Sequence, residues 1–249
     1  MLVTGGGRGI GRAIALAFAA PGRFVVVAAR TRAQLEETAE EIRRRGAEAL
    51  ALDMDVADER AVEHAFAQLR EAVPRLDVLV NNAGIGGGRP IHQTDVAAWR
   101  RVIDTNVVGM FLVTRQAVPL LREGGRIVNL SSVLGRFGVP GYTAYCSSKH
   151  AVIGFTRALA LEVAQRGITV NAICPGWVDT EMAASGMRMG AELMGTTFEE
   201  FRRQAIGAVP INRIIQPEEV ATLVKFLASP DASAITGQTY NICGGQVMS

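Results

Sequence analysis

Thr4-Gly5-Gly6-Gly7-Arg8-Gly9-Ile10-Gly11 stands between the apolar run Met1–Thr4 and the helix-forming segment Arg12–Ala20. Glycines let a chain turn tightly and bring its backbone close to a bound pyrophosphate, whose charge then meets the unpaired N–H groups that open the helix. Glycine runs also mark ordinary turns. The placement of this one, after a strand and before a helix, is what points to a dinucleotide.

Working outward, β-branched apolar runs recur at Phe24–Ala29, Ala47–Leu52, Val78–Asn81, Arg126–Leu130, Thr169–Ile173 and Thr239–Ile242. Helix-period segments separate them, the longest at Thr94–Arg122 and Ala144–Arg166. This alternation predicts an α/β protein: one Rossmann-type, doubly wound parallel sheet of about seven strands with helices on both faces. A chain of 249 residues suits a single dinucleotide-binding and catalytic domain over 1–249. The stretch Thr180–Val209 breaks the pattern, being rich in Met and Gly before a helix-like segment with Phe198 and Phe201, and is expected to be a substrate lid. The first strand has only Leu2 and Val3 between Met1 and the glycine loop, which suggests that the natural start lies upstream.

Composition narrows the function. The net charge is +2 and basic residues are interspersed with acidic ones, unlike the one-sided footprint of a nucleic-acid binder. The Arg43-Arg44-Arg45 run follows Glu36, Glu37, Glu40 and Glu41 on one predicted helix, the order that a helix dipole favours. Cys146, Cys174 and Cys243 are scattered and do not cluster with His64, His92 and His150, so no metal site is expected. The absence of a signal-peptide pattern and of a bilayer-length apolar run points to the cytoplasm and away from a membrane.

Chemistry concentrates in Tyr145-Cys146-Ser147-Ser148-Lys149, where Tyr145 and Lys149 stand one turn apart on a predicted helix. A phenol titrates near ~10 and needs help to exchange protons at neutral pH; an adjacent cation favours the phenolate. The chain uses 24 arginines and only two lysines, Lys149 and Lys225, so a lysine at this spacing is conspicuous. An ammonium takes part in proton relay, whereas guanidinium essentially never deprotonates. Ser132 ends a strand on the edge where such sheets bind ligands, placed to hold a carbonyl near Tyr145. The second strand runs out into Ala29-Arg30-Thr31 without the acid that would bond the ribose hydroxyls of NAD; Arg30 and Arg8 suit a 2′-phosphate instead, which favours NADP(H).

Together these residues resemble the short-chain dehydrogenase/reductase family over the whole chain. The resemblance is carried by Thr4–Gly11, Asn81-Asn82-Ala83-Gly84, Ser132 thirteen residues before Tyr145, Lys149, Asn106 in Asp104-Thr105-Asn106, and Pro175-Gly176-Trp177-Val178-Asp179-Thr180. It implies that Ser132 orients a carbonyl, that Tyr145 is the general acid/base, that Lys149 binds the nicotinamide ribose and tunes Tyr145, and that Asn106 anchors a relay water. It also implies that Thr4, Gly5, Gly9, Ile10, Gly11, Thr31, Asn82, Ala83, Gly84, Pro175, Gly176, Val178 and Thr180 line the cofactor site, with Asp55 and Val56 framing the adenine. Val133, Leu134, Val139, Tyr142, Trp177 and Met182 are expected to line the substrate pocket. Tyr142 lies seven residues before Lys149, the spacing of enoyl reductases of the same superfamily, but the Ser132–Tyr145 pair favours carbonyl reduction.

Segment Gly124–Thr180 and the ending around Gln216–Val220 and Asn241–Gly245 look most similar to bacterial ketoreductases of type II polyketide synthesis, and next to 3-oxoacyl-carrier-protein reductases. The resemblance implies NADPH-dependent reduction of a 3-oxoacyl or polyketide-like ketone, a small-molecule or acyl-thioester substrate, an acyl carrier protein as partner, and a homotetramer. An acyl carrier needs a basic docking patch, for which Arg89, Arg136 and Arg188 are candidates. A secondary-alcohol dehydrogenase and a non-catalytic cofactor sensor are the alternatives; Arg30 speaks against the first and the intact Tyr145–Lys149 pair against the second.

Overall fold

The computed structural model describes residues 1–248. Its seven strands are β1 (Leu2–Thr4), β2 (Phe24–Ala29), β3 (Glu48–Asp53), β4 (Leu76–Asn81), β5 (Leu121–Leu130), β6 (Thr169–Pro175) and β7 (Thr239–Ile242). They form one sheet in the order β3-β2-β1-β4-β5-β6-β7, every pair parallel. The order reverses between β1 and β4, and the crevice at the carboxyl ends of those strands is where an open α/β sheet receives its ligand. The expected doubly wound sheet is therefore present.

Helices cover both faces: α1 (Gly9–Phe18), α2 (Arg32–Arg44), α3 (Glu59–Ala72), α4 (Val96–Ile103), α5 (Gly109–Ala117), α6 (Thr143–Glu162), α7 (Glu181–Met194), α8 (Phe198–Gly207) and α9 (Pro217–Leu227). Successive strand residues face opposite layers. Val3, Val25 and Val27 pack with Ile14 of α1, Leu35 of α2 and Val224 of α9, whereas Leu2, Val26 and Leu79 pack with Phe66 of α3 and Val113 of α5. A strand sealed on both sides has no polar face, which is why these runs are continuously apolar.

Local chemistry sets the helix starts. Asp58 caps α3 by accepting from Arg60 N and Ala61 N, and Asp95 caps α4 by accepting from Ala98 N at 2.7 Å. Thr197 with Glu200, and Gln216 with Glu219, close capping boxes on α8 and α9. The predicted lid is helical rather than a loop, made of α7 and α8, and Phe201 lies so close to Gly190 that any side chain there would overlap its ring.

The long helix expected over Thr94–Arg122 is in fact interrupted and shorter. A π-turn at Asp104–Val108 separates α4 from α5, a 3₁₀ turn follows at Val118–Leu120, and Leu121–Arg122 already belong to β5. Pro119 lacks the N–H that a continuing helix needs, and Leu121 finds a strand partner in Leu76. Likewise the helix expected over Ala144–Arg166 is α6 to Glu162 followed by a 3₁₀ turn at Ala164–Arg166.

Candidate active site

The glycine loop is held by hydrogen bonds from two neighbouring strands. Gly5 N and Gly6 N donate to Ala28 O of β2 at 2.7 and 3.3 Å, which sets the carboxyl end of β2 beside the loop. Thr4 Oγ1 accepts from Asn82 N at 3.1 Å and Ala83 N at 3.0 Å, while Asn82 Nδ2 donates to Thr4 O at 2.9 Å and Gly5 O at 3.2 Å. Asn82 therefore spends its amide nitrogen on shaping the loop. A Cβ on Gly11 would overlap Gly5 O, and Gly5 and Gly9 take left-handed φ values of 65° and 54°. Arg8, at the N-cap of α1, gives that helix no side-chain cap, so the first-turn N–H groups around Ile10 face an open cradle.

Of the other expected cofactor residues, Thr180 lies against the glycine loop itself. A Cβ on Gly9 would stand 3.3 Å from Thr180 Cγ2, and Thr180 caps α7, so the lid's first turn rests against the glycine loop. Pro175 ends β6, Gly176 N donates to Ile242 O at 3.0 Å, and Val178 bridges to Ile215, which fixes the path to Thr180. Buried Val56 packs where a Cβ on Gly109 would come within 2.7 Å of it. Arg30 and Thr31 are exposed where β2 ends, and Arg30 forms a loose 3.7 Å ion pair with Asp55, two residues expected to serve opposite ends of the adenosine.

The reactive groups meet at the carboxyl end of β5. Ser131 Oγ donates to Lys149 O at 2.8 Å, and a Cβ on Gly135 would stand 2.5 Å from Ser131 Oγ and 2.8 Å from Lys149 O. This contact brings the turn after β5 against the first turns of α6. Ser132 Oγ accepts from Leu134 N at 3.1 Å and lies beside Tyr145, whose phenolate it favours. Lys149 is 5% exposed, donates from Nζ to Leu130 O at 2.8 Å, and lies 5.6 Å from the centroid of the Tyr145 ring.

Asn106 sits in the π-turn, buried, where it clasps the loop after β4: Nδ2 donates to Ile85 O and Ser148 Oγ, each at 3.0 Å, and Oδ1 accepts from Ile85 N at 2.8 Å. Ser148 Oγ donates in turn to Tyr145 O at 2.7 Å. Gly84 closes the group, since a Cβ there would meet Asn106 Oδ1 at 3.1 Å and Lys149 Nζ at 3.6 Å. Ser132, Tyr145, Lys149 and Asn106 are thus brought together, although a π-turn rather than a regular helix carries Asn106.

Electrostatics at the pair differ from the sequence expectation. Burial pushes the Tyr145 phenol up to about 12 against the opposing effect of Ser132, and burial brings the Lys149 ammonium down to about 8. The ammonium does not hold Tyr145 low here, because it donates to the Leu130 carbonyl and faces the phenol ring. Burial thus favours the neutral phenol at Tyr145 and the neutral amine at Lys149.

Of the residues expected to line a substrate pocket, Tyr142 and Trp177 lie against α7, and Met182 belongs to it. Tyr142 donates to Gly186 O at 3.3 Å, and Trp177 lies against the same glycine; Met182 approaches Gly86, and Val139 O accepts from Tyr142 N. Val133 is buried in the turn after Ser132, with Leu134 partly exposed beside it. The basic patch does not form as expected. Arg136 donates to Thr239 O at 2.7 Å on β7, and Arg188 is paired with Glu181 at 3.0 Å and stacked on Phe198, which leaves Arg89 alone of the three facing a cavity. Among the described residues no cluster of potential metal ligands occurs.

A family model described as enoyl-(acyl carrier protein) reductase matches residues 5–246. The chain belongs to the short-chain dehydrogenase/reductase family. A variant of actinorhodin polyketide ketoreductase, solved with NADPH, is 43% identical and superposes with a TM-score of 0.94 over 98% of this chain and 95% of that one. Levodione reductase is 34% identical with a TM-score of 0.92, over 98% and 96% of the two chains. A 3-oxoacyl-[acyl-carrier-protein] reductase of Synechocystis is 41% identical over 99% of this chain and 96% of that protein.

Within this short-chain dehydrogenase/reductase site, one positioning element escaped the sequence reading. Asn81 Nδ2 donates to Thr114 Oγ1 at 2.9 Å and Asn129 Oδ1 at 2.8 Å, and Asn129 Nδ2 donates to Thr156 Oγ1 at 2.9 Å. This buried chain ties α5, β4, β5 and α6, the four elements whose ends hold the reactive groups. Its signal was present: asparagines inside apolar strands pay for burial only when they are hydrogen-bonded.

Proposed function

We propose that this enzyme reduces a ketone, of 3-oxoacyl or polyketide-like type, to a secondary alcohol with NADPH. The observation that carries the reading is Ser132 beside Tyr145, with a buried Lys149 5.6 Å from the Tyr145 ring centroid, at the carboxyl edge of the sheet. The cradle suits a dinucleotide: Gly11 tolerates no side chain, the α1 N-terminus lacks a side-chain cap, and the end of β2 offers Arg30 rather than a carboxylate. Arg30 and Arg8 are the residues for a 2′-phosphate, Asp55 and Val56 for the adenine, and Lys149 for the nicotinamide ribose. The likeness to a ketoreductase solved with NADPH supports the same choice.

When bound, NADPH supplies the hydride to the carbonyl carbon. Ser132 Oγ and Tyr145 Oη hold the carbonyl oxygen from two sides, an arrangement that fixes the approach before any bond changes. Tyr145, neutral at physiological pH, donates its proton to the oxygen as negative charge develops there. Lys149, titrating near 8, stands behind the ring to restore that proton, and Asn106 holds the Ile85 loop and Ser148 so that Tyr145 keeps its place. The enoyl reductase in the family model's description would call on Tyr142, whose hydroxyl is engaged by the lid backbone at Gly186.

The same reading covers a single catalytic domain under the α7–α8 lid, an acyl thioester on an acyl carrier protein among the substrates, and a cytoplasmic homotetramer. No helix among the described residues is long and apolar enough to cross a membrane. Val108, Phe111 and Leu161 leave apolar surface on the π-turn, α5 and α6 for a second copy, and light scattering tests the assembly.

The decisive experiment follows NADPH oxidation with 3-oxoacyl thioesters, cyclic ketones, quinones and 2-enoyl thioesters, for wild type and Tyr145→Phe. The expected outcome is turnover of at least one ketone, with kcat lowered on the order of 10² to 10⁴ in the variant. Equal, negligible rates for both proteins on every compound would establish a sensor, and turnover of enoyl thioesters alone would establish the enoyl reading.

A further inference from the structure

Tyr142 stands three residues before Tyr145, and the reduction does not call on it. It is the N-cap residue of α6 but gives that helix no side-chain cap. Its ring reaches away from α6 instead. A Cβ at Gly88 would meet Tyr142 Cε2 and Cζ at 3.0 Å, and the hydroxyl donates to Gly186 O, in the second turn of α7, at 3.3 Å. Burial pushes the phenol up, so the hydroxyl keeps the proton that it donates.

The same side of α7 meets the 85–89 loop and the start of α6 along its length. Met182 Cγ lies 3.7 Å from where a Cβ on Gly86 would stand, and Leu193 Cδ1 lies 3.4 Å from a Cβ placed on Gly141. Between them Gly186 receives Tyr142, and Met189 Sδ accepts from Gly88 N at 3.0 Å. Residues 182, 186, 189 and 193 follow one another by four, three and four, which puts them on one stripe of the helix. The stripe rests on Gly86, Gly88 and Gly141, which offer no side chain to interlock with it. Tyr142 is the side chain that reaches across. The polar ties over this seam are the two hydrogen bonds, with no ion pair among the described residues, since Arg188 and Glu181 pair within α7. Such a seam parts at low cost, because a neutral hydrogen bond contributes little net and glycine gives a facing side chain little apolar surface to lose.

Resting on the ketone-reductase reading, we propose that Tyr142 is the catch of the substrate lid. Its ring on Gly88 and its hydroxyl on Gly186 O hold α7 against the start of α6, and the site opens to substrate and product where this seam parts. Tyr142 is a positioning residue, acting through α7 and not on the carbonyl. Its place three residues before Tyr145 ties lid closure to the helical turn that carries the proton donor.

Hydrogen exchange followed by mass spectrometry, on the full chain with NADP⁺ saturating, reads the opening of α7 apart from turnover. Wild type is compared with Tyr142→Phe, which removes only the hydroxyl, and with Tyr240→Phe, which removes a hydroxyl on β7. Exchange across 181–194 is expected to quicken ~5-fold in Tyr142→Phe, the scale of one neutral hydrogen bond, while 143–162 and 198–207 keep the wild-type rate. Tyr240→Phe is expected to match wild type in all three segments. On a ketone that the enzyme reduces, the single-turnover rate of NADPH oxidation in Tyr142→Phe stays within about twofold of wild type, whereas loss of a proton donor lowers it by ~10² or more. Unchanged exchange across 181–194 overturns the catch. So does an equal rise across 143–162, which makes Tyr142 a packing residue of α6, or a hydride step slowed on the larger scale, which makes it an acid. If no ketone is reduced by wild type the reductase reading fails, and the exchange still decides whether Tyr142 holds α7.

Discussion

Replacing Lys149 by methionine keeps an unbranched side chain one atom shorter and removes a buried charge, and its consequence for stability depends on pH in a way that the structure fixes. Burial brings the folded-state value from 10.5 to about 8, which corresponds to a cost of about 3 kcal/mol for keeping the ammonium charged inside the protein. Below pH 8 that cost is borne in full. Between pH 8 and 10.5 the unfolded chain binds more protons than the folded one, so the stability of the native protein rises with pH until both states are neutral. The variant lacks this contribution, although it leaves Leu130 O without its donor at every pH. Stability of wild type minus that of Lys149→Met should therefore increase by ~2 kcal/mol from pH 7 to pH 9.5. Tyr145, whose value is raised to about 12, adds its own change only above pH 10, outside this window. Urea unfolding of both proteins at one protein concentration measures the difference. Parallel stability curves across the window would refute a desolvated ammonium at this position.

Asn106→Ala strips partners from Ile85 N, Ile85 O and Ser148 Oγ, and an unsatisfied buried group costs about 1–3 kcal/mol. A loss of ~3 kcal/mol in urea unfolding is expected, with kcat falling more than NADPH affinity; unchanged stability would show that water replaces the clasp. Gly135→Ala should cost ~1–3 kcal/mol by overpacking against Ser131 Oγ and Lys149 O, and displace α6 enough to lower kcat; wild-type kinetics would mean the turn yields freely. Asn129→Leu breaks the chain between Asn81 and Thr156, and a destabilisation of ~2 kcal/mol by thermal unfolding is expected, because two buried partners each lose a hydrogen bond. Arg30→Ala should narrow the preference for NADPH over NADPH's unphosphorylated counterpart by tenfold or more, read from KM ratios; an unaltered ratio would assign the 2′-phosphate to Arg8 alone.

Sequence by itself determined the sheet, the glycine loop and the juxtaposition of Tyr145 with Lys149, because each depends on short-range pattern. Continuous apolar strands mark a sheet buried on both faces, glycine after a strand marks a tight turn into a helix, and Tyr145 and Lys149 are joined by one helical turn. It also missed in characteristic ways. Pro119 and the coming strand partner Leu76 cut short a helix whose apolar period continued to Arg122, since strand pairing is a long-range choice that periodicity does not carry. Only the tertiary structure placed Asn106 in a π-turn and joined Asn81, Asn129 and Thr156 into one buried chain across distant segments. It alone set the electrostatics of the pair, since the sequence placed a cation near a phenol but not the Leu130 carbonyl that receives the ammonium, nor the burial that raises Tyr145. And it separated Arg136, which donates to Thr239 O of β7, and Arg188, paired with Glu181, from Arg89 at its cavity, because whether a surface charge is available depends on what folds against it.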